Sequence, residues 1–214
     1  MSEVLRINFE KSYKLWQACE EDGSVDDKFE YVYFLNGYAY ASNRHIVAKV
    51  PLGMCTSFIP EDYAKLNNHR IHRTMLKTLC SFNIVQVKED WNIIDHNGKL
   101  LNKEGDPERF VMLSAQRGDN YITVELMQCK EVPDFDAIFK IEGERQPIRS
   151  LGIRVKFLGD LCAAMGLSSV KMRFSQFNGK VFVEDVSDED GPKASGIIMP
   201  LRLDPTLPGM EDYE

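Results

Sequence analysis

The side chains able to do chemistry are scattered along this chain. The five cysteines, Cys19, Cys55, Cys80, Cys129 and Cys162, are far apart, odd in number and set among apolar neighbours. A disulfide framework or a zinc site needs paired or clustered spacing, so these read as small core residues. His69 and His72 lie three apart, with no carboxylate or thiol at ligand spacing beside them. No metal site is expected there. The acidic run Asp188-Glu189-Asp190 falls in "EDVSDEDGPKAS" (184–195) and reads as a solvated hairpin loop. A Gly-rich phosphate loop, a nucleophile elbow and an HExxH helix are all missing. No pair of carboxylates is set in an apolar segment where burial would shift a pKa. The expectation is a protein that is not an enzyme and needs no cofactor.

What remains is binding chemistry. Read as a helix, "HRIHRTMLKTLC" (69–80) puts Arg70, Arg73 and Lys77 on one face and Ile71, Met75 and Leu79 on another. Lys11 and Lys14 lie on an earlier helix-like stretch. Such a stripe is either a solvated helix face or a surface for the phosphate backbone, which attracts DNA without reading its sequence. The stripe has no interleaved aromatics for stacking single strands, so duplex is the better partner. The formal net charge is −7. That excludes one broad basic surface but not local contact, because local charge decides.

The second binding feature is "GIIMPLRLD" (196–204). Its apolar run reads as a buried strand, which Pro200 ends or pushes to a sheet edge.

The elements that must position these groups repeat. "LRINF" (5–9) alternates like a half-buried strand. "EKSYKLWQACEEDG" follows, with Tyr13, Trp16 and Cys19 at helical spacing and Gly23 as a stop. "FEYVYFLNGYAYAS" reads as a hairpin turning on Asn36-Gly37, and "HIVAKVPL" as a further strand ending at Pro51. The C-terminal part has the same order. "IRVKF" (153–157) parallels "LRINF", and "LGDLCAAMG" is a short helix stopped by Gly166. "SVKMRFSQFNGKVFVEDV" is a hairpin around Asn178-Gly179, and "GIIMPLRL" closes the unit. A looser copy lies between, as "HRIHRTMLKTLC" and then "FNIVQVKE", "WNIIDHNGK", "RFVMLSA" and "YITVELMQ". Repeated βαβββ units imply an α+β fold of antiparallel sheets with helices on one face.

Composition bounds the rest. The 214 residues are 43% hydrophobic and 28% charged, which is globular composition with length for one large or two small domains. No apolar run approaches the roughly 20 residues of a membrane span. The N-terminus lacks a basic region followed by an apolar core, so a cytoplasmic protein without a signal peptide is expected. The polar stretch "NGKLLNKEGDPER" (97–109) reads as an exposed loop, and the charged, proline-bearing "KIEGERQPIRS" (140–150) as a junction.

Together these motifs resemble the DNA sliding clamps. "GIIMPLRL" is similar to the C-terminal run of the bacterial clamp, the β subunit of DNA polymerase III. The stretch "IRVKFLGDLCAAMGLSSVKMRFSQFNGKVFVEDV" resembles the helix and strands before that run. "VPDFDAIF" (132–139) resembles the family's Pro-Asp-Tyr interdomain stretch. "ASNRHIVA" (41–48) resembles its Ala-Thr-Asp-Gly-His-Arg-Leu-Ala segment, keeping His45 but not the Asp-Gly pair.

The resemblance implies a DNA-clamp-like fold. It divides the chain into a clamp-like domain at 1–133, a second and shorter one at 134–204, and a disordered tail at 205–214. In bacterial clamps the three segments form an apolar pocket for short peptides of polymerases and clamp loaders. Carried over, that pocket takes Ser42, His45 and Val47 from the first segment, Pro133 and Ile138 from the second, and Ile197, Met199, Pro200 and Arg202 from the third. The expected function is that of a processivity factor in DNA replication or repair. Its partners would be duplex DNA, held non-specifically, and polymerase or clamp-loader-like proteins. A homo-oligomer is implied, since a ring of six domains takes three two-domain chains. The alternative is an interaction module of clamp fold that never touches DNA.

Overall fold

A computed structural model describes residues 8–24, 26–82, 84–90, 110–139, 152–174, 179–186 and 191–201, with backbone alone at 88–90 and 110. Expectations for 5–7, 91–109, 140–151, Asn178, 187–190, Arg202 and the tail lie outside these residues.

The first unit begins at Phe9, which forms an isolated bridge with Thr56. A 3-10 turn, Leu15–Gln17, leads to three strands: β1 (Tyr31–Leu35), β2 (Tyr38–Ser42) and β3 (Ile46–Pro51). The β1–β2 hairpin turns where the sequence predicts, with φ of 51° at Asn36 and 81° at Gly37. Positive φ at both central residues matches the right-handed twist of the strands.

The helix expected over Lys11 and Lys14 does not form. Its amides go elsewhere: Lys14 N donates to Ala163 O at 2.8 Å and Glu20 N to Phe29 O at 2.9 Å. An amide bonded across the molecule cannot close an i→i−4 ladder. The apolar spacing still serves burial, and Leu15, Ala18 and Cys19 reach the core.

Two short helices follow, α1 (Leu52–Cys55) and α2 (Pro60–Leu66). The middle copy then takes its order from β4 (His69–His72), α3 (Arg73–Leu79), β5 (Ile84–Asp90), β6 (Phe110–Arg117) and β7 (Asn120–Glu125). This is strand, helix, three strands. "HRIHRTMLKTLC" is therefore half strand, because Tyr31 to Phe34 of β1 pair with His72 to His69 and hold them extended. A two-residue strand β8 (Met127–Gln128) and helix α4 (Phe135–Phe139) come next.

The last unit starts at Gly152, bridged to Leu201. It continues as α5 (Val155–Met165), β9 (Val170–Phe174), β10 (Val181–Asp185) and β11 (Ser195–Ile198). The strand expected over 153–157 is instead the first turn of α5 from Val155 onward. Phe157 N and Leu158 N both donate to Arg154 O, and that turn draws the alternating residues into the helix. Gly166 ends α5 at φ +68°, as the sequence predicts.

The large sheet runs β8-β4-β1-β2-β3-β11-β10-β9, and β5-β6-β7 form a second antiparallel sheet. At the centre of the large sheet, β3 pairs antiparallel with β11, so the order β1-β2-β3 meets its mirror β11-β10-β9. The sheet thus takes strands from both sides of residue 133. The 3-10 turn lies between α3 and α5 on one face. There Val32, Phe34, Ile46, Ala48, Val181, Val183 and Ile198 meet Leu76, Leu161 and Met165 in the main core. Helix α4 lies on the opposite face, over Tyr33, Tyr40 and Val47.

Candidate peptide-docking site

Strand β11 ends at Ile198, and Pro200 marks a change of partner. Met199 N donates to His45 O at 2.8 Å, which extends the β11–β3 pairing by one step. Leu201 N donates to Gly152 O at 2.9 Å, on the other side of the chain. Pro200, with no N–H, sits between the two without leaving a donor orphaned. Met199 and Pro200 are half-buried.

The β2–β3 turn presents His45. Asn43 Oδ1 accepts from the amides of His45 (3.1 Å) and Ile46 (3.0 Å). Ser42 Oγ donates to Ile46 O at 2.9 Å, and Arg44 takes φ +69° between them. A short polar side chain closing its own turn is the usual use of Asn here. His45 is exposed, its ring stacked on Phe157 with centroids 4.8 Å apart and planes at 15°. Arg154 lies over the same phenyl ring at 5.5 Å.

The middle segment arrives as α4. Phe135 is buried, stacked on Tyr40 at 4.8 Å and edge-on to Tyr33 at 5.5 Å. Lys180 Nζ donates to Ile138 O at 2.8 Å and so supports the C-terminal end of the helix. By register, Lys180 stands opposite Met199, one step beyond the Val181–Ile198 pair. Lys49 Nζ lies over Tyr38 (4.6 Å), Tyr40 (5.4 Å) and Phe139 (5.5 Å), with Asp136 at 3.9 Å. Burial, with Asp136 nearby, pushes the Tyr40 hydroxyl up to about 12.

Three segments widely separated in sequence therefore come together around Val47. Val47 is the register partner of both Ile197 and Ser42, and Ile138 packs against the cluster that holds Val47. Ser42, Val47 and Ile197 are buried, and Pro133, Ile138, Met199 and Pro200 are partly exposed. The exposed His45 ring turns to Phe157 of α5, which packs on the face opposite α4. Phe135 and Phe157 were not singled out from the sequence. Phe135 stands inside "VPDFDAIF", and its i, i+3, i+4 spacing with Ile138 and Phe139 was the available signal. Phe157 carried none, because its partner His45 is 112 positions away.

The basic stripe is not one face. Arg70 is on β4, stacked over Tyr31 at 4.2 Å, while Arg73 opens α3 and donates to Glu20 O at 2.7 Å. A strand alternates where a helix would align, so the two side chains diverge. Lys11, Lys14 and Lys77 are exposed. Beside His45 opens a polar cleft of about 690 Å³ that brings Glu20, Glu21, Asp22 and Asp160 together with Arg44, Arg73 and Lys156. Arg44 pairs with Glu20 at 3.2 Å, and Lys156 with Asp160 at 2.8 Å.

The cysteines are free thiols, four buried and Cys162 partly so. Burial pushes Cys19, Cys55 and Cys80 up to about 12 and Cys129 to about 11, so none is a ready nucleophile. His69 and His72 part company too, with His69 Nδ1 on Asn67 O at 2.9 Å. No helix of the described residues is long and apolar enough to cross a membrane.

No family model and no curated protein matches the sequence. Among solved structures the chain is similar to the H. pylori beta clamp in complex with diflunisal, at a TM-score of 0.56 and 10% identity. The match covers 93% of this chain and 66% of that one, so the chain spans about two thirds of that structure's length. At that identity the likeness shows the fold alone, which is clamp-like.

Proposed function

We propose that this protein is a non-enzymatic, clamp-like docking protein of DNA replication or repair. It captures short apolar peptides of polymerase or clamp-loader-like partners on a rim of His45, Pro133, Ile138, Met199 and Pro200. The observation that carries this reading is the convergence of the β2–β3 turn, α4 and the end of β11. A half-buried methionine beside a broken strand is an adaptable apolar surface, which suits a peptide. Ser42, Val47 and Ile197 are the buried members of that site.

The absence of a catalytic constellation among the described residues favours binding over chemistry. The carboxylates displaced there, Asp26 and Glu30, both move downward, whereas a general acid needs a raised value. The chain works in the cytoplasm in this reading, as two clamp-like parts that divide near residue 133.

Titrating a clamp-binding peptide against the protein tests the site. Binding is expected, with at least a tenfold loss in Met199→Asp. No binding at millimolar peptide removes the site.

A second reading adds duplex DNA. It is favoured by exposed Lys11, Lys14 and Lys77 on the side that carries the 3-10 turn and α3. Each lysine that meets a phosphate contributes about 0.9 to the salt slope. Replacing all three by Gln therefore flattens that slope if this side meets DNA. A salt-independent or absent interaction leaves the docking role alone. Self-association is the remaining part of the proposal. It is supported by the sheet-edge strands β9 and β7, which carry the exposed Phe174 and Tyr121.

A further inference from the structure

We propose that Asp22, Glu30 and His72 form a site for one divalent transition-metal ion of the Zn²⁺ class. The inference is independent of the docking role. The three residues come from separate elements: the turn after the 3-10 segment, the residue before β1, and the last residue of β4. His72 Nε2 lies 3.3 Å from Glu30 Oε2 and 3.9 Å from Asp22 Oδ1. All three ligand atoms lie within 4.8 Å of one another. Two ligands each about 2.1 Å from a tetrahedral ion stand roughly 3.4 Å apart, so small side-chain shifts close the set.

Each ligand is held from behind. The other imidazole nitrogen, Nδ1, shares a 2.7 Å hydrogen bond with Thr74 Oγ1, and Tyr31 packs against the ring edge-on at 5.3 Å. That fixes the ring and aims Nε2 at the carboxylates, as outer partners of ligating histidines do. Glu30 is almost fully buried, and its Oε1 accepts the Ser24 amide at 2.7 Å. The turn that supplies this amide also carries Asp22, so one local structure positions both carboxylates.

Charge points the same way. Arg44 pairs with Glu20, Arg73 is committed to the Glu20 carbonyl, and Lys28 pairs with Asp26. Among the described residues, the His72 imidazole lies within 4 Å of both Asp22 and Glu30. One imidazole between two carboxylates suits a proton or a metal, and imidazole with carboxylate oxygen is a zinc donor set. A bound ion would tie the turn at 22–24 to the β4–α3 junction along one wall of the polar cleft.

The test is calorimetric titration of ZnCl₂ into the full chain at pH 7.5, with Asp22→Asn, Glu30→Gln and His72→Gln beside it. One ion per chain is expected, weakened at least tenfold by each substitution. Asp22 is largely exposed, so Asp22→Asn keeps the fold even if Glu30→Gln does not. No heat of binding up to millimolar zinc overturns the proposal. Binding unchanged by all three substitutions places the ion elsewhere, on thiols or other histidines, and overturns it as well. A loss confined to His72→Gln, with Asp22→Asn unaffected, overturns the three-ligand site.

Discussion

At the scale of single residues, Asn43 and Glu30 set more than their own surroundings. Asn43 supplies the acceptor for the amides of His45 and Ile46, so it decides where His45 and the carbonyl that binds Met199 stand. Asn43→Ala removes the acceptor of both amides, the one at Ile46 buried, and is expected to cost about 1–3 kcal/mol in urea unfolding. Asn43→Asp keeps the acceptor and should cost far less. Glu30 gives a pH signature. Amides of the turn at 23–24 and then His72 hold its carboxyl below the ordinary range. A folded pKa below the unfolded one means stability that is present above the unfolded value and lost as pH falls through the folded value. Urea midpoints measured downward from pH 5.5 should therefore fall more steeply in the native chain than in Glu30→Gln. Parallel curves would show that Glu30 carries no such linkage.

At the scale of elements, the close approach of α5 to β11 rests on glycine. A Cβ at Gly196 would stand 2.6 Å from Leu161 Cδ1, under the helix that the sheet must hold. Gly196→Ala should destabilise by about 1–3 kcal/mol through overpacking, and Leu161→Ala in the same chain should recover part of that loss. At the other end of α5, Gly166 combines positive φ with Tyr13 carbons 3.1 Å from where a Cβ would sit. Gly166→Ala is expected to cost more than about 1 kcal/mol from handedness alone. Thermal melts of the two variants separate a packing defect from a capping defect only in company with Tyr13→Ala. That change removes the ring contact at Gly166 and leaves both the left-handed strain there and the Gly196–Leu161 overlap.

At the scale of the molecule, the order β1-β2-β3-β11-β10-β9 makes the two terminal units one sheet. Unfolding should accordingly be a single cooperative transition, monitored alike by Trp16 fluorescence and by circular dichroism. Two separated transitions would show that the parts divided near residue 133 fold independently. Open edges remain at β9 and β7, where Phe174 and Tyr121 are exposed. The expected solution mass is that of a closed oligomer, read by light scattering across a concentration series. A monomer at every concentration removes a ring, and sliding with it, but leaves peptide docking intact.

Much of this arrangement was legible in the residues. Local signals suffice for Asn36-Gly37, for the stop at Gly166 and for the strands that end at Pro51 and before Pro200, because turn geometry and a missing N–H act within a few residues. The order of strand, helix and three strands is complete in the middle copy, whereas the first unit has a 3-10 turn for its helix and the last has the start of α5 for its opening strand; the hairpins survive because binary patterning is local too. The failures share one cause. The segment from Lys11 to Glu20 has helical spacing, yet its amides bond to Ala163 and Phe29. Arg70 has a helical neighbour pattern, yet β1 pairs it into a strand. His72 has no ligand nearby in sequence, yet it meets Asp22 and Glu30 across the fold. Pairing of β3 with β11, the seat of Phe135 against Tyr33 and Tyr40 and the Asp22–Glu30–His72 cluster all depend on hydrogen bonds and packing between residues tens to more than a hundred positions apart. The sequence alone determined the hairpins, the turn and stop residues and most of the strands. Only the tertiary structure decided which side chains share a surface, because long-range partners outbid local propensity wherever one backbone amide can serve only one of them.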